Sequence, residues 1–327
     1  MTVWTWQADF TMRRGLVIAV IAILLHGAAG SHEAVAAGPQ WQSFASPSEA
    51  VQALVAAVKA GDVDALAAIL GPEARDLISS GDPVADKEGR ARFVRAYEQS
   101  NKLERPTETK AVLVIGQDEW SLPIPVIREG DVWRFDTAAG KEEILNRRIG
   151  RNELNAMQVC LAYVDAQREY ARVTREGDGL LTYAMKFRSD EGKRNGLYWP
   201  TKEGEDPSPL GVLAANARAE GYTSETSGGK PTPYHGYLYR ILTAQGLDAP
   251  GGAYNYVVKG RMIGGFALVA YPVQYGISGI MTFIVNQQGI VYEKDLGPDT
   301  ESIARAMLTY NPDQTWKRTG ELPPPPR

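Results

Sequence analysis

Residues 138–173 read AAGKEEILNRRIGRNELNAMQVCLAYVDAQREYARV, the longest helical pattern in the chain. Leu154, Met157, Leu161 and Val164 recur at helical spacing, and Cys160 and Tyr163 widen that stripe into a core-facing band. Arg147, Arg148, Arg151, Arg168 and Arg172 lie mostly off it. Gly150 costs about 1 kcal/mol against Ala inside a helix. It is therefore read as a junction between two helices and as the boundary between two domains, 44–149 and 150–316.

On the N-terminal side, Ser46, Pro47 and Glu49 spell a helix start, Val51, Leu54, Val55 and Val58 continue it, and Gly61 closes it. A second helix over 63–70 stops at Gly71-Pro72, and helical patches follow at 73–79 and 86–99, the latter with Phe93, Val94 and Tyr97 on one face. Residues 110–115, 120–126 and 132–135 are β-rich, and Pro123 and Pro125 make the middle one an edge or a bulge. On the C-terminal side the chain turns rich in Gly, Tyr and Pro, with a short helix at 211–220. Strands are expected at 236–243, 253–258, 265–271, 280–285 and 290–294, with a hairpin turn at Asn286-Gln287-Gln288-Gly289. A last helix at 301–310 precedes a tail, 317–327, that holds four consecutive prolines. The fold class is α+β: N-terminal helices on a curved antiparallel meander, then a long helix packed on an antiparallel sheet.

The 327 residues include 35 Lys plus Arg against 39 Asp plus Glu, with 44% apolar and 23% charged. That is the make-up of a globular protein, and the acidic balance argues against a nucleic-acid binder. Arg13 and Arg14 precede the apolar run LVIAVIAILL at 16–25, and Ala34-Val35-Ala36 follows. A basic start, about ten apolar residues and an A-x-A site make 1–36 a secretory signal peptide cut after Ala36. A membrane span needs about 20 apolar residues, so the run reads as a cleaved tag and not as an uncleaved anchor. Met12 reads as the true start in preference to Met1, because residues 1–10 carry Asp9 and none of these features. Loss of the tag removes His26 and His32 and leaves His235 as the only histidine. Cys160 is the only cysteine, so no intramolecular disulfide can form. The expected product is periplasmic or secreted, with no stable membrane span after cleavage.

Several blocks resemble a bacterial exported family known as domain of unknown function 2950. They are Ser79-Ser80-Gly81-Asp82-Pro83-Val84-Ala85-Asp86, Ile144-Leu145-Asn146-Arg147-Arg148-Ile149-Gly150-Arg151-Asn152-Glu153 and Tyr234-His235-Gly236-Tyr237. Arg261-Met262-Ile263-Gly264-Gly265-Phe266-Ala267, Met281-Thr282-Phe283-Ile284-Val285-Asn286 and Val291-Tyr292-Glu293-Lys294-Asp295-Leu296-Gly297 complete the set. The resemblance runs over about residues 44–316; it implies export and a shared architecture, and it implies no reaction. Ala60-Gly61-Asp62, Leu70 with Pro72, and Trp133-Arg134-Phe135-Asp136 resemble the opening of the nuclear-transport-factor-2-like cone fold. Arg151-Asn152-Glu153, Ala166-Gln167, Tyr170, the alternation Phe266, Leu268, Ala270, Pro272, and GISGIMTF at 276–283 resemble the heads of pilin-like and pseudopilin-like proteins. Lys141, Glu142, Glu143, Arg147, Arg148 and Arg151 stand where those proteins have an apolar, membrane-resident helix, which argues against filament assembly.

One histidine and one cysteine cannot supply the four ligands of a structural zinc, and no cofactor is implied. Asp178, in Arg175-Glu176-Gly177-Asp178-Gly179, is the calcium candidate, although the acid series of a calcium loop is incomplete and a plain turn explains it better. Gly276-Ile277-Ser278-Gly279 lacks the spacing of a nucleophile elbow, Cys160 reads as a small buried filler, and GRMIGG at 260–265 is no phosphate loop. No catalytic residue is assigned. The candidate ligand-binding set is His235, Tyr234, Tyr237 and Trp199, with Tyr198, Trp199 and Tyr222 as the candidate exposed aromatics. Two carboxylate pairs could do acid–base work: Glu293 with Asp295, on one solvated strand face, and Asp82 with Asp86, flanking a turn. The expectation is an exported, soluble cell-envelope protein, a non-catalytic binding or structural module whose partner is an envelope protein or a wall polymer. The alternative is a carboxylate-dependent enzyme acting on a small molecule or a cell-wall glycan.

Overall fold

Ser46 starts the first helix by accepting the Glu49 N–H on its hydroxyl at 3.2 Å, while the Glu49 carboxylate accepts from Ala45 N–H at 2.9 Å. The computed structural model describes residues 41–175, 178–202, 204–222 and 232–320. The expected signal peptide, residues 176–177 of the calcium-type turn, the loop at 227–231 and the prolines at 323–326 lie outside the described residues. Helix α1 (Pro47–Ala60) ends on Gly61, whose φ of 66° is the left-handed cap that glycine adopts without penalty. Asp62 caps α2 (Val63–Leu70), a 3-10 turn (Pro72–Ala74) leads into α3 (Arg75–Ile78), and Asp82 caps α4 (Pro83–Gln99).

Strands β1 (Asn101–Thr107), β2 (Lys110–Ile115), β3 (Trp120–Ser121), β4 (Val126–Glu129) and β5 (Val132–Phe135) make an antiparallel sheet ordered β1-β2-β4-β5, with β3 on β2. The expected 120–126 strand is broken after Leu122, whose N–H still donates to Leu113 O at 2.8 Å, because neither Pro123 nor Pro125 has an N–H to donate. Leu54, Leu66, Leu113, Ile124, Val126 and Phe135 are buried in one core between these helices and this sheet.

Helix α5 (Thr137–Tyr170) is a single helix of 34 residues, about 51 Å long at 1.5 Å per residue. The junction expected at Gly150 is absent: the helix continues through it, since one glycine costs less than the packing gained on either side. The buried face keeps the expected Cys160, Tyr163 and Val164, with Met157 and Leu161 packed against the same core, but it takes in two amides and leaves Leu154 out. Asn152, Ala156, Cys160, Tyr163, Val164 and Gln167 are buried, whereas Leu154 is 40% exposed. Small Ala156 and Cys160 let the helix lie close to the sheet beneath, and the two amides are buried because they are bonded. Gln167 donates to Ala184 O and accepts from Ala184 N–H, both at 2.8 Å, and Asn152 donates to Ser278 O at 2.9 Å.

After α6 (Gly211–Ala219), β6 (Tyr237–Leu242) joins the antiparallel sheet β15-β13-β12-β11-β6, made with β11 (Ala267–Pro272), β12 (Met281–Asn286), β13 (Tyr292–Asp295) and β15 (Lys317–Arg318). Lys317 and Arg318, expected in the tail, are thus an edge strand on β13. Small pairs form β9 (Val257–Val258) with β10 (Arg261–Met262), and β7 (Ala244–Gln245) with β8 (Tyr254–Asn255) and the parallel β14 (Thr309–Tyr310). Every residue of β11 is buried, because α5 and α7 (Thr300–Ala306) both pack against it. This second core holds Tyr163, Tyr237, Phe266, Leu268 and Phe283. No helix among the described residues is long and apolar enough to cross a membrane.

Two glycines of α5 should answer mutation with opposite signs. A Cβ on Gly140 would stand 2.5 Å from the Pro123 carbonyl carbon, whereas one on Gly150 meets nothing within 4 Å. Gly140→Ala should cost about 1–3 kcal/mol by forcing backbone apart. Gly150→Ala should gain up to about 1 kcal/mol of helix propensity. Thermal melts of both variants check this, and a stabilised Gly140→Ala would show that the helix does not need its close approach.

Candidate functional site

Tyr234-His235-Gly236-Tyr237 forms a two-residue turn closed by Tyr234 N–H to Tyr237 O at 2.9 Å and Tyr237 N–H to Tyr234 O at 3.2 Å. Both central residues have positive φ, 51° at His235 and 76° at Gly236, the pattern of a type I′ turn. A histidine there is strained, since the left-handed region penalises residues with a Cβ. What holds it is Asp82. This carboxylate is fully buried and accepts three bonds: Ala85 N–H at 3.1 Å, Tyr222 O–H at 2.9 Å and Gly236 N–H at 2.8 Å. His235 N–H in turn donates to the Tyr222 oxygen at 3.2 Å. Asp86, the other member of the expected pair, accepts from Ser80 N–H at 3.0 Å and Ser80 O–H at 2.7 Å. The pair is therefore a capping arrangement at the start of α4.

Beside this joint lies a cavity of about 1000 Å³, at the upper end of the range of ligand pockets. Leu54, Leu66, Phe93, Ile115, Leu122 and Ile124 line its apolar part, and Arg92, Arg148, Arg151, Glu88, Glu220 and His235 line its polar part. Helix α4 explains why the space is open. None of its residues is buried, although Ala85, Gly89, Phe93 and Ala96 make an inward stripe, because that stripe fronts the cavity. Helix α5 supplies Ile144, Arg147, Arg148, Arg151 and Asn155 from its own inward stripe. Burial pushes the Arg148 guanidinium below its ordinary pKa; burial, then Arg92 and Arg148, do the same to Arg151. Glu220 is pushed up by burial first, and then by Glu88 and Asp82.

The family described as "Protein of unknown function (DUF2950)" matches residues 41–319. The chain belongs to that family. No curated protein and no solved structure matches it. In this DUF2950 chain, the Ser79–Asp86 block supplies the buried carboxylate, the Ile144–Glu153 block supplies the cavity arginines, and the Tyr234–Tyr237 block supplies the strained turn.

The expected ligand-binding residues are not gathered in one place. His235 lines the cavity. Tyr234 is half-buried and stacks on it, with ring centroids 4.1 Å apart. Tyr237 is a core residue, fully buried and donating to Met281 O at 2.9 Å. Trp199 is buried as well, with the Arg175 and Arg194 guanidiniums 5.1 and 5.5 Å from its ring centroid, and Tyr222 is buried against Asp82. The exposed aromatics expected at 199 and 222 are thus absent, because cations and a carboxylate cover them. Both carboxylate oxygens of Asp178 bond to Arg261, which holds its pKa down to about 2. Cys160 is buried, and burial alone pushes its thiol up to about 12. Glu293 is half-buried, its carboxyl pushed up by burial and by Glu153, while Asp295 is exposed and accepts from Tyr275 O–H at 3.2 Å. The arginines were missed because they lie off the apolar stripe of α5, where charge usually means solvent. Gly89, an interior glycine on the face of α4 opposite them, was the available signal.

Two measurements check the joint. Asp82→Ala removes a helix cap and orphans the Tyr222 hydroxyl and the Gly236 N–H, so urea denaturation should show a loss of about 3 kcal/mol or more. An effect below about 1 kcal/mol would mean that water replaces the carboxylate without penalty. His235 is pushed below its ordinary pKa by burial first and by Arg151 and Arg92, with Asp82 pulling the other way. Its Nε2 lies 3.2 Å from a Glu220 carboxylate oxygen, and that contact does not outweigh the desolvation. The unfolded chain binds the proton more readily, so stability is complete above about pH 6.5 and falls as the pH drops below it. Tm followed from pH 7.5 to 5 should show this decline. His235→Asn, which tolerates positive φ, should flatten it, and an unchanged slope would take the imidazole out of the account.

Proposed function

We propose that this chain is an exported cell-envelope protein that acts by binding, and that its ligand is an amphiphile with an apolar body and an anionic end. Export is supported by the Arg13-Arg14 start, the ten-residue apolar run and the Ala34-Val35-Ala36 site. The single observation that carries the binding reading is the cavity: apolar inside, with Arg92, Arg148 and Arg151 at its polar part. The cone-like reading of the first half is supported by helices packed on a curved antiparallel sheet with space between them. The pilin-head-like reading of the second half is supported by the rear of α5 lying on β11 and β12. A wall polymer stacked on Trp199 has little platform to use, because Arg175 and Arg194 cover the ring.

The energetics are adequate. Each CH₂ taken from water contributes about 0.8 kcal/mol, so an eight-carbon chain brings roughly 6 kcal/mol before the costs of immobilisation. A second reading, catalysis by carboxylates, draws on Glu88 and Glu220 facing the same cavity, with Glu220 held above the usual carboxylate range. Product formation from a glycan or small ester that is abolished by Glu220→Gln would favour it.

Gly89 offers the cleanest test of binding. A Cβ there meets only an Arg92 nitrogen, at 3.9 Å, so a side chain would grow into the cavity. Gly89→Leu should raise stability by up to about 1 kcal/mol through helix propensity. The same change should abolish the fluorescence gain of anilinonaphthalene sulfonate, an apolar anion, on mixing with the native protein. Undiminished fluorescence with Gly89→Leu would place the probe elsewhere and sink the reading.

A further inference from the structure

We propose that the anionic end of the ligand is a phosphate monoester, received by Arg92, Arg148 and Arg151 at the polar end of the cavity. This rests on the amphiphile reading above and names its head group. The placement comes from two helices. Arg148 and Arg151 are one turn apart on α5 and so share a face, and α4 brings Arg92 to the same cavity.

None of the three donates a hydrogen bond to a carboxylate among the described residues. Arg148 donates to the Asp76 and Leu77 carbonyls at 2.6 and 2.5 Å, which anchors the guanidinium at the end of α3, and the Asp76 and Asp86 carboxylates act on it only through space. Arg151 makes no hydrogen bond or ion pair among the described residues. Arg92 reaches Glu88 only at 3.8 Å, and the same oxygen already accepts from Arg95 at 2.7 Å. The other cavity acids are also engaged: Asp86 is bonded by Ser80, and Glu220 lies against His235. Arg92 and Arg148 lie close enough to Arg151 to add to burial in lowering its pKa, and three guanidiniums about one cavity suit an anion.

The number of cations selects among anions. A carboxylate carries one charge and two oxygens, which a single arginine saturates in bidentate fashion. A phosphate monoester carries about −1.5 to −2 charges and three terminal oxygens, enough to engage three guanidiniums at once. Free phosphate would satisfy the arginines and leave the apolar wall of Leu54, Phe93 and Ile124 unfilled. The ligand that uses both parts has an alkyl or prenyl-like body esterified to phosphate.

Calorimetric titration of the full chain with decyl phosphate, decanoate, decanol and inorganic phosphate, each below its micelle concentration, tests this. Decyl phosphate should bind at least about tenfold more tightly than decanoate, a preference of about 1.4 kcal/mol. Arg151→Gln and Arg92→Gln should erase that preference and leave decanol affinity unchanged; neither arginine has a close protein partner whose loss would disturb folding. Equal affinities for decyl phosphate and decanoate, or a preference that survives both substitutions, would overturn the phosphate assignment while the cavity reading stands. Inorganic phosphate binding as tightly as decyl phosphate would also overturn it, by making the body irrelevant. Failure of all three decyl compounds to bind would remove the cavity reading itself.

Discussion

A buried carboxylate without a cation beside it is expensive, and Asp82 is one. It persists because three donors converge on it, from its own helix start, from the Tyr222 hydroxyl and from the turn at Gly236. The positive end of the α4 backbone dipole adds to them. Nothing else satisfies those groups, so the start of α4 and the turn before β6 must be in place together. The strained φ of His235 and the position of α4 over the cavity both follow from that requirement.

The second constraint is that α5 serves two cores. Its first part packs by the Gly140 approach to Pro123, and its later part by amide bonds that let Asn152 and Gln167 be buried. Between these anchored stretches lies the segment carrying Arg147, Arg148 and Arg151, which lines the cavity while Arg148 is tied to the end of α3 and Arg147 lies over Trp120. The space stays open because α4, capped by Asp82, packs on α1, β1 and β2 through partly buried Phe93, Ala96 and Tyr97 and buries none of its residues fully.

What the sequence disclosed was local. Ser46 and the Gly61 turn set helix ends through bonds spanning three or four residues, and the structure places them as read. Strand β1 escaped notice because NKLERPT is polar and almost wholly exposed, held by ladder bonds to β2 and not by burial. On α5 apolar spacing locates Cys160, Tyr163 and Val164 on the buried face, but it overrates the exposed Leu154 and gives no sign of Asn152 and Gln167, which are buried because they are hydrogen-bonded. The joint was out of reach. The Asp82 partners lie 140 and 154 positions away, a separation over which no periodicity or cap signal carries information. Trp199 misled for a similar reason: its covering arginines are a tertiary fact.

The unbroken path of α5 also bears on how the chain comes apart. A helix that belonged to one core alone could keep its shape while the other melted. Here the shared rod transmits the loss, since releasing either end strips backbone bonds from the stretch that anchors the other. Heating should therefore give one calorimetric endotherm, with equal van't Hoff and measured enthalpies, from a chain that holds two separate clusters of buried side chains.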